Sequence, residues 1–239
     1  MTTIQIGRDG FTLWVTGMSG SGKSTLATQL GQRLRSIGRA VEILDSDDLG
    51  KYHLSIGLDA TKDERNADTR RLGFLARLLS RNGVIAIVAS TSPHRESRDQ
   101  NRREIGRFVE VFADAPVETL ISRDPKGQYK KALAGDLQNF IGITAPYEPH
   151  GHAEVIVKTH AQKVDQSVQE VLQSLLDLGY LKPNEVSQMI GQKARRRPVE
   201  RKHHSRPARA TRAAAKPGPA KAARKAHRPV KASGRRAKR

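Results

Sequence analysis

The residues Gly17-Met18-Ser19-Gly20-Ser21-Gly22-Lys23-Ser24-Thr25 carry the chemistry that is easiest to name. They fit the pattern GxxxxGK[ST], with an apolar stretch before them and a helix-like stretch after. In such a loop Gly17, Gly20 and Gly22 let the backbone fold around phosphate oxygens, and Ser19, Ser21 and Thr25 belong to the same cradle. The exposed amides and the helix start supply partial positive charge. Lys23 is placed to bridge the β- and γ-phosphates of a nucleotide, so it counts as catalytic as well as binding, and Ser24 is placed to hold magnesium. A glycine-rich turn with no chemistry is the competing reading. The strand, the helix and the intact Gly22-Lys23-Ser24 all weigh against it.

A phosphate loop does not name a reaction. The segment Val41-Glu42-Ile43-Leu44-Asp45-Ser46-Asp47-Asp48 alternates apolar residues and then delivers three carboxylates where a second strand ends. Open parallel sheets bind ligands at that end of their strands. Carboxylates there can position hydrated magnesium or accept a proton from an attacking hydroxyl.

The elements that must hold these residues are legible as alternating patterns. Strands are expected at Phe11–Thr16, Val41–Asp45, Gly83–Ser90, Phe108–Ala113 and Glu154–Lys158. Helices are expected at about Lys23–Ile37, Glu64–Arg81, Arg95–Ile105, Val117–Ser122 and Val164–Leu178. The alternation predicts an α/β fold of three layers, a five-stranded and mostly parallel sheet with helices on both faces. Residues 123–151, rich in Lys, Gly, Asp and Pro, interrupt it and read as a mobile lid.

Charge divides the chain. Residues 191–239 carry 19 Lys and Arg against one acid, Glu200, which leaves 24 bases and 23 acids in residues 1–190. The last segment has no Leu, Ile, Met or aromatic residue and cannot build a core. Residues 1–180 are therefore expected to be one domain and 181–239 a linker and disordered basic tail. Such a tail fits non-specific binding of nucleic acid or another polyanion, without aromatic side chains for base stacking. The absence of cysteine excludes disulfides, zinc-thiolate sites and thiol nucleophiles. No apolar run approaches the roughly 20 residues of a membrane span, and the polar N-terminus has no secretory stretch, so a cytoplasmic protein is expected.

After the phosphate loop come Leu44–Asp48, then Ser92-Pro93 with Arg95, then Arg123-Asp124-Pro125-Lys126-Gly127-Gln128-Tyr129-Lys130-Lys131-Ala132. Phe140-Ile141-Gly142-Ile143 and Pro146-Tyr147-Glu148-Pro149 complete the series. In this order the blocks resemble the adenylyl-sulfate (APS) kinases, whose patterns read LDGDN, ISPYR, a nearly identical lid, FTGI and PYE. The resemblance spans about Phe11 to Lys158. It implies a P-loop kinase that uses MgATP to phosphorylate the 3′-hydroxyl of adenosine 5′-phosphosulfate, and it implies a homodimer.

By the same resemblance Asp47 sits by magnesium and the acceptor hydroxyl and counts as catalytic, and Ser92 is grouped with the catalytic residues because it matches the serine recorded in the family as a candidate for covalent phosphorylation. Arg65 and Arg70 approach the phosphosulfate, while Arg123 and Lys126 belong to the lid over ATP. Asp45, Lys51, Asp68, Thr91 and Phe140 fall on the substrate side. Departures from the family pattern gather there: Lys51 lies in a segment without the family's arginine, Leu58 replaces a phenylalanine, Asp68 an asparagine, and Thr91 and His94 replace two ISPY residues. Plainer roles compete for several of these residues. Arg70 reads equally as a surface arginine; for Ser92 a cap on the helix after Pro93 is preferred to phosphorylation, with the residue still at the pocket; Phe140 either stacks on a purine, which the resemblance favours, or anchors the lid, while Trp14 is assigned to packing and His53 to the surface. Two other functions compete with this one: a kinase of this type with a different small hydroxyl acceptor, and a nucleic-acid-binding protein with a degenerate kinase domain.

Overall fold

The structure, a computed structural model, describes residues 10–52, 54, 57–149 and 151–191. Five strands, β1 Thr12–Thr16, β2 Val41–Asp45, β3 Ile85–Ala89, β4 Phe108–Asp114 and β5 Val155–Lys158, form one sheet in the order β2-β3-β1-β4-β5. Every pairing is parallel. Parallel sheets are covered on both faces, which explains why β1 and β3 are buried at every position and read as continuous apolar runs.

The helices are α1 Lys23–Ser36, α2 Ser46–Gly50, α3 Lys62–Ser80, α4 Arg95–Ile105, α5 Val117–Arg123, α6 Gln128–Leu133, α7 Val164–Asp177 and α8 Pro183–Ile190. Alternation along β1 sends Leu13 and Val15 to one face, against Leu26 and Leu30 of α1 and Val171 and Leu172 of α7. Trp14 points to the opposite face, with Leu72 and Ala76 of α3. Register then fixes the site. Ala89 of β3 lies level with both Val15 of β1 and Asp45 of β2, so the residues after these three strands emerge side by side.

The structure differs from the sequence expectation in three segments. Residues 46–50 continue the chain as a short helix, and α6 lies within the expected lid. Residues 181–191, expected to begin a linker, instead carry α8, with Leu181, Val186 and Met189 buried in the α1/α7 core. Pro183 suits the first helical turn, and the Glu185 carboxylate accepts the Lys182 N–H at 2.8 Å. Arg33 of α1 donates to the Met189 carbonyl and pairs with Asp165 at 3.3 Å. The basic segment from residue 192 and His53 lie outside the described residues. No described helix is long and apolar enough to cross a membrane.

If α8 belongs to the domain, Met189→Ala should lower the unfolding free energy by about 2–4 kcal/mol, the usual cost of emptying a fully buried methionine site. Urea titration reads this directly. A change below about 0.5 kcal/mol would return α8 to the status of a detachable linker.

Candidate active site

The loop from Gly17 to Gly22 leaves the central strand β1 and enters α1. A side chain at Gly17, where φ is 145°, would meet the Ala113 carbonyl at 2.6 Å. Gly22 caps α1 in the left-handed region at φ 91°, and no side chain caps the helix. The first amides of α1 thus lack intrahelical partners and face an open cavity, which makes an anion site. Lys23 lies over the loop, its ammonium donating to the Met18 carbonyl at 2.8 Å. Removal from water pushes its pKa down to about 8, opposed by the charge of Asp47, helped by Lys126 and again opposed by Asp45.

This cavity, about 280 Å³, is lined by Ser19, Gly20, Gly22, Lys23, Ser24 and Thr25, by Asp45 and Asp47, and by Lys126 and Phe140 of the 123–151 segment. A smaller one of about 80 Å³ adjoins it, lined by Asp68, Thr69, Ser90, Ser92 and Pro93 among others. Ser46, Asp47, Leu58, Arg65 and Thr91 line both. Asp47 is held there by local structure: Asp45, the N-cap of α2, accepts the Asp47 N–H at 2.9 Å.

The expected lid is built on its own small core of Leu120, Tyr129, Ala132 and Phe140, with Tyr129 and Phe140 edge to face at 5.0 Å. It rests on the phosphate loop. The Tyr129 hydroxyl donates to the Ser19 carbonyl at 2.8 Å, and the Ser19 hydroxyl donates to Gln128 Oε1 at 2.6 Å. The Asp124 carboxylate accepts the N–H groups of Gln128, Tyr129 and Lys130 at 2.8, 3.2 and 3.0 Å. Burial works to raise its pKa, but these donors outweigh it and hold the carboxyl below its ordinary value. Lys126 ion-pairs with Asp47 across the cavity.

Several expected site residues fall elsewhere. Ser21 is buried within the loop, and Gly17 closes its base. Lys51 is exposed and paired with Asp48 at 2.6 Å, away from both cavities. Arg70 is exposed on α3 and lines neither, because the helix turns Asp68 and Thr69 inward instead. Arg123 donates to the Thr159 carbonyl at 2.9 Å and lines a third cavity of about 190 Å³ that shares Gly22 and Thr25 with the first. Ser92 lies at the second cavity but is buried, its Oγ accepting the Trp14 indole N–H at 3.1 Å. It does not cap α4, which begins after His94. Phe140 is both an anchor of the lid core and part of the cavity wall. Sequence reasoning missed Gln128 and Ser46 as lining residues and Arg98 as a buried residue beside the site; only the lid resemblance singled out Gln128's position.

A glycine loop between a central parallel strand and an uncapped helix, a lysine on it, and carboxylates from the neighbouring strand define a P-loop phosphotransferase. Within that class, the adenylylsulphate kinase family model matches residues 9–158. The adenylyl-sulfate kinase of Synechococcus sp. (strain JA-3-3Ab) is 46% identical over 176 residues, covering 74% of this chain and 99% of that protein. That of Synechococcus sp. (strain JA-2-3B'a(2-13)) is 48% identical over 174 residues, 73% of this chain and 99% of its own. Among solved structures, the Mycobacterium tuberculosis APS kinase in complex with AMPPNP and APS is similar, with TM-score 0.65, 34% identity and coverage of 70% of this chain and 98% of that one. The chain belongs to the adenylylsulphate kinase family.

The lowered pKa of Lys23 gives nucleotide binding a pH dependence whose sign can be worked out. Below about pH 8 the ammonium is charged with or without a triphosphate, so affinity is level. Above it the free protein has lost a proton that the anionic ligand favours regaining, so affinity falls as pH rises, by at most about tenfold per unit. Calorimetry with ATP at pH 9 in buffers of different ionisation heat should detect proton uptake. In Lys23→Arg, whose guanidinium stays charged, the uptake should vanish.

Proposed function

We propose that this chain transfers the γ-phosphoryl group of ATP to the 3′-hydroxyl of adenosine 5′-phosphosulfate. The observation that carries this is the shared wall: a phosphate-holding cavity and a second cavity meet at Asp47, Arg65 and Thr91. A triphosphate on the α1 amides and Lys23 directs its terminal phosphorus towards that wall, and an acceptor in the second cavity brings its hydroxyl to the same place. The third cavity, beside Arg123 and Thr159, adjoins the loop where the nucleotide's base would lie.

In the reaction the acceptor oxygen forms its bond to the γ-phosphorus as the bond to the ADP oxygen breaks, and the hydroxyl proton passes to the Asp47 carboxylate. Lys23 and the α1 amides stabilise the charge on the transferring group, because they are already oriented before it develops. Lys126 must exchange Asp47 for phosphate oxygens when nucleotide enters, which frees the carboxylate for its task. Ser24 and Asp47, hard oxygen donors lining one cavity, would hold magnesium. When bound, that ion neutralises part of the phosphate charge. The proposal includes a cytoplasmic, self-associating enzyme.

Turnover of APS with ATP, followed as 3′-phosphorylated product, tests the acceptor. Activity on another small alcohol with none on APS would overturn it. Asp47→Asn should lower kcat by about 100-fold or more while leaving the KM for ATP within about threefold, since a proton acceptor acts in the transition state. Loss of ATP affinity with kcat intact would make Asp47 a binding residue only.

The basic segment supports a second, separate role as a polyanion-binding arm, on the ground of its 19 bases and one acid. The full chain should bind duplex DNA of any sequence with affinity that falls steeply with salt. A chain ending at Gly191, which keeps α8, should bind far more weakly. Equal binding at low salt by both chains would end that proposal.

A further inference from the structure

Ser92 adopts φ 36°, one of two non-glycine residues in the left-handed region among those described. A conformation of this kind persists where surrounding contacts over-determine it. Here two contacts do so. Trp14, from the middle of β1, donates its indole N–H to Ser92 Oγ at 3.1 Å, and Arg98 of α4 donates from Nη1 to the Ser92 carbonyl at 2.6 Å.

Arg98 is almost wholly buried, at 1% exposure. Its Nε donates to Glu110 of β4 at 2.9 Å and its Nη2 to the Glu148 carbonyl at 2.9 Å, and its guanidinium lies 5.6 Å from the centre of the Tyr147 ring. The Thr16 hydroxyl gives its proton to the Thr91 carbonyl at 2.8 Å, so the Tyr147 hydroxyl, 2.9 Å away, must donate to Thr16. Burial pushes the Tyr147 pKa up to about 12, keeping that proton in place. The guanidinium thereby ties Ser92 of the wall to β4 and to Tyr147 and Glu148, and the Tyr147–Thr16–Thr91 hydrogen bonds extend that tie to β1. A buried ion pair contributes little net stability compared with apolar packing, whereas the three fixed donors of Arg98 constrain every carbonyl and carboxylate they reach.

We infer that Arg98 is a positioning residue for the acceptor: acting through the Ser92 carbonyl, it holds the wall of the second cavity in the conformation that receives APS. This assigns Ser92 a positioning role in place of covalent catalysis, and it rests on the proposed acceptor.

The test compares Arg98→Lys, Ser92→Ala and the unaltered protein. Lysine keeps the charge opposite Glu110 but, as a single point donor, cannot span the Ser92 and Glu148 carbonyls. Arg98→Lys should raise the KM for APS about tenfold while the KM for ATP changes less than twofold. Ser92→Ala, which keeps the wall's Cβ and its carbonyl, should still turn over, with the KM for APS raised about threefold or more. Trp14 is the only tryptophan in the chain, so its emission reports on the clamp without ligand. Both variants should shift that emission, because the indole N–H loses or relaxes its Ser92 partner.

Equal changes in both KM values, or unaltered Trp14 emission in both variants, would overturn the inference. Loss of all turnover in folded Ser92→Ala would restore a covalent role for Ser92. If Arg98→Lys does not fold, Ser92→Ala decides by the KM split and the emission. Failure of the unaltered protein to use APS would sink the acceptor proposal and, with it, the assignment of this wall to APS; if APS is used, the KM split and the ligand-free emission decide the role of Arg98 by themselves.

Discussion

A helix that begins without a side-chain cap at the carboxyl end of the central strand is the feature around which the molecule is arranged. Gly22 ends the loop in the left-handed region and leaves the α1 amides open. These amides face an open cavity with Ser24 and Thr25 exposed, and their aligned partial charges favour an anion over water there, so affinity for phosphate follows. Holding them in place requires β1 to be rigid and α1 to be fixed against it. Parallel pairing on both edges of β1 supplies the first, and α7 and α8 packed beside α1 supply the second.

Charge is balanced on the same scale. Lys23 is placed where desolvation works against its own protonation, and the nearby Asp47 and Asp45 partly compensate. Lys126 from the lid meets Asp47, so the carboxylate and both lysines form one local set in the protein without nucleotide. A triphosphate must reorganise that set. The lid is suited to such an exchange, since it has its own core in Tyr129 and Phe140 and touches the loop through few hydrogen bonds.

What the sequence makes legible is what is local in the chain. The five strands and their mostly parallel pairing are readable because apolar runs have a period, and the phosphate loop between β1 and α1 because it is one continuous string. The α6 start depends on Asp124 accepting several amides four to six residues on, and α8 depends on only two buried apolar side chains, Val186 and Met189, too few to stand out as periodic. Arg98 was invisible for a different reason. It lies in a helix of charged residues, where an arginine reads as solvated, and only the approach of Glu110, Ser92 and Glu148 buries it.

The acceptor side illustrates this division most clearly, because its wall is drawn from separate segments: Asp47, Leu58, Arg65 with Asp68, and Thr91 with Ser92. Departures from the family pattern cluster there, yet they do not carry equal weight. Lys51 is out in solvent with Asp48, and His94 is buried behind the wall against Glu148 at 3.4 Å, so neither forms the cavity surface. Leu58, Asp68 and Thr91 do. Burial lowers the pKa of Arg65, while Asp59, Asp68 and Glu64 act to keep it charged, and its guanidinium is fixed by the carbonyls of Leu58, Ala60 and Asn139. Arg65 remains a cation whatever its neighbours, so what Asp68 changes is the local charge: buried in the same wall, it offsets part of the attraction that Arg65 exerts on an anion. If the proposed acceptor occupies this cavity, selectivity turns on whether the cation of Arg65 outweighs the carboxylate of Asp68 at the shared wall.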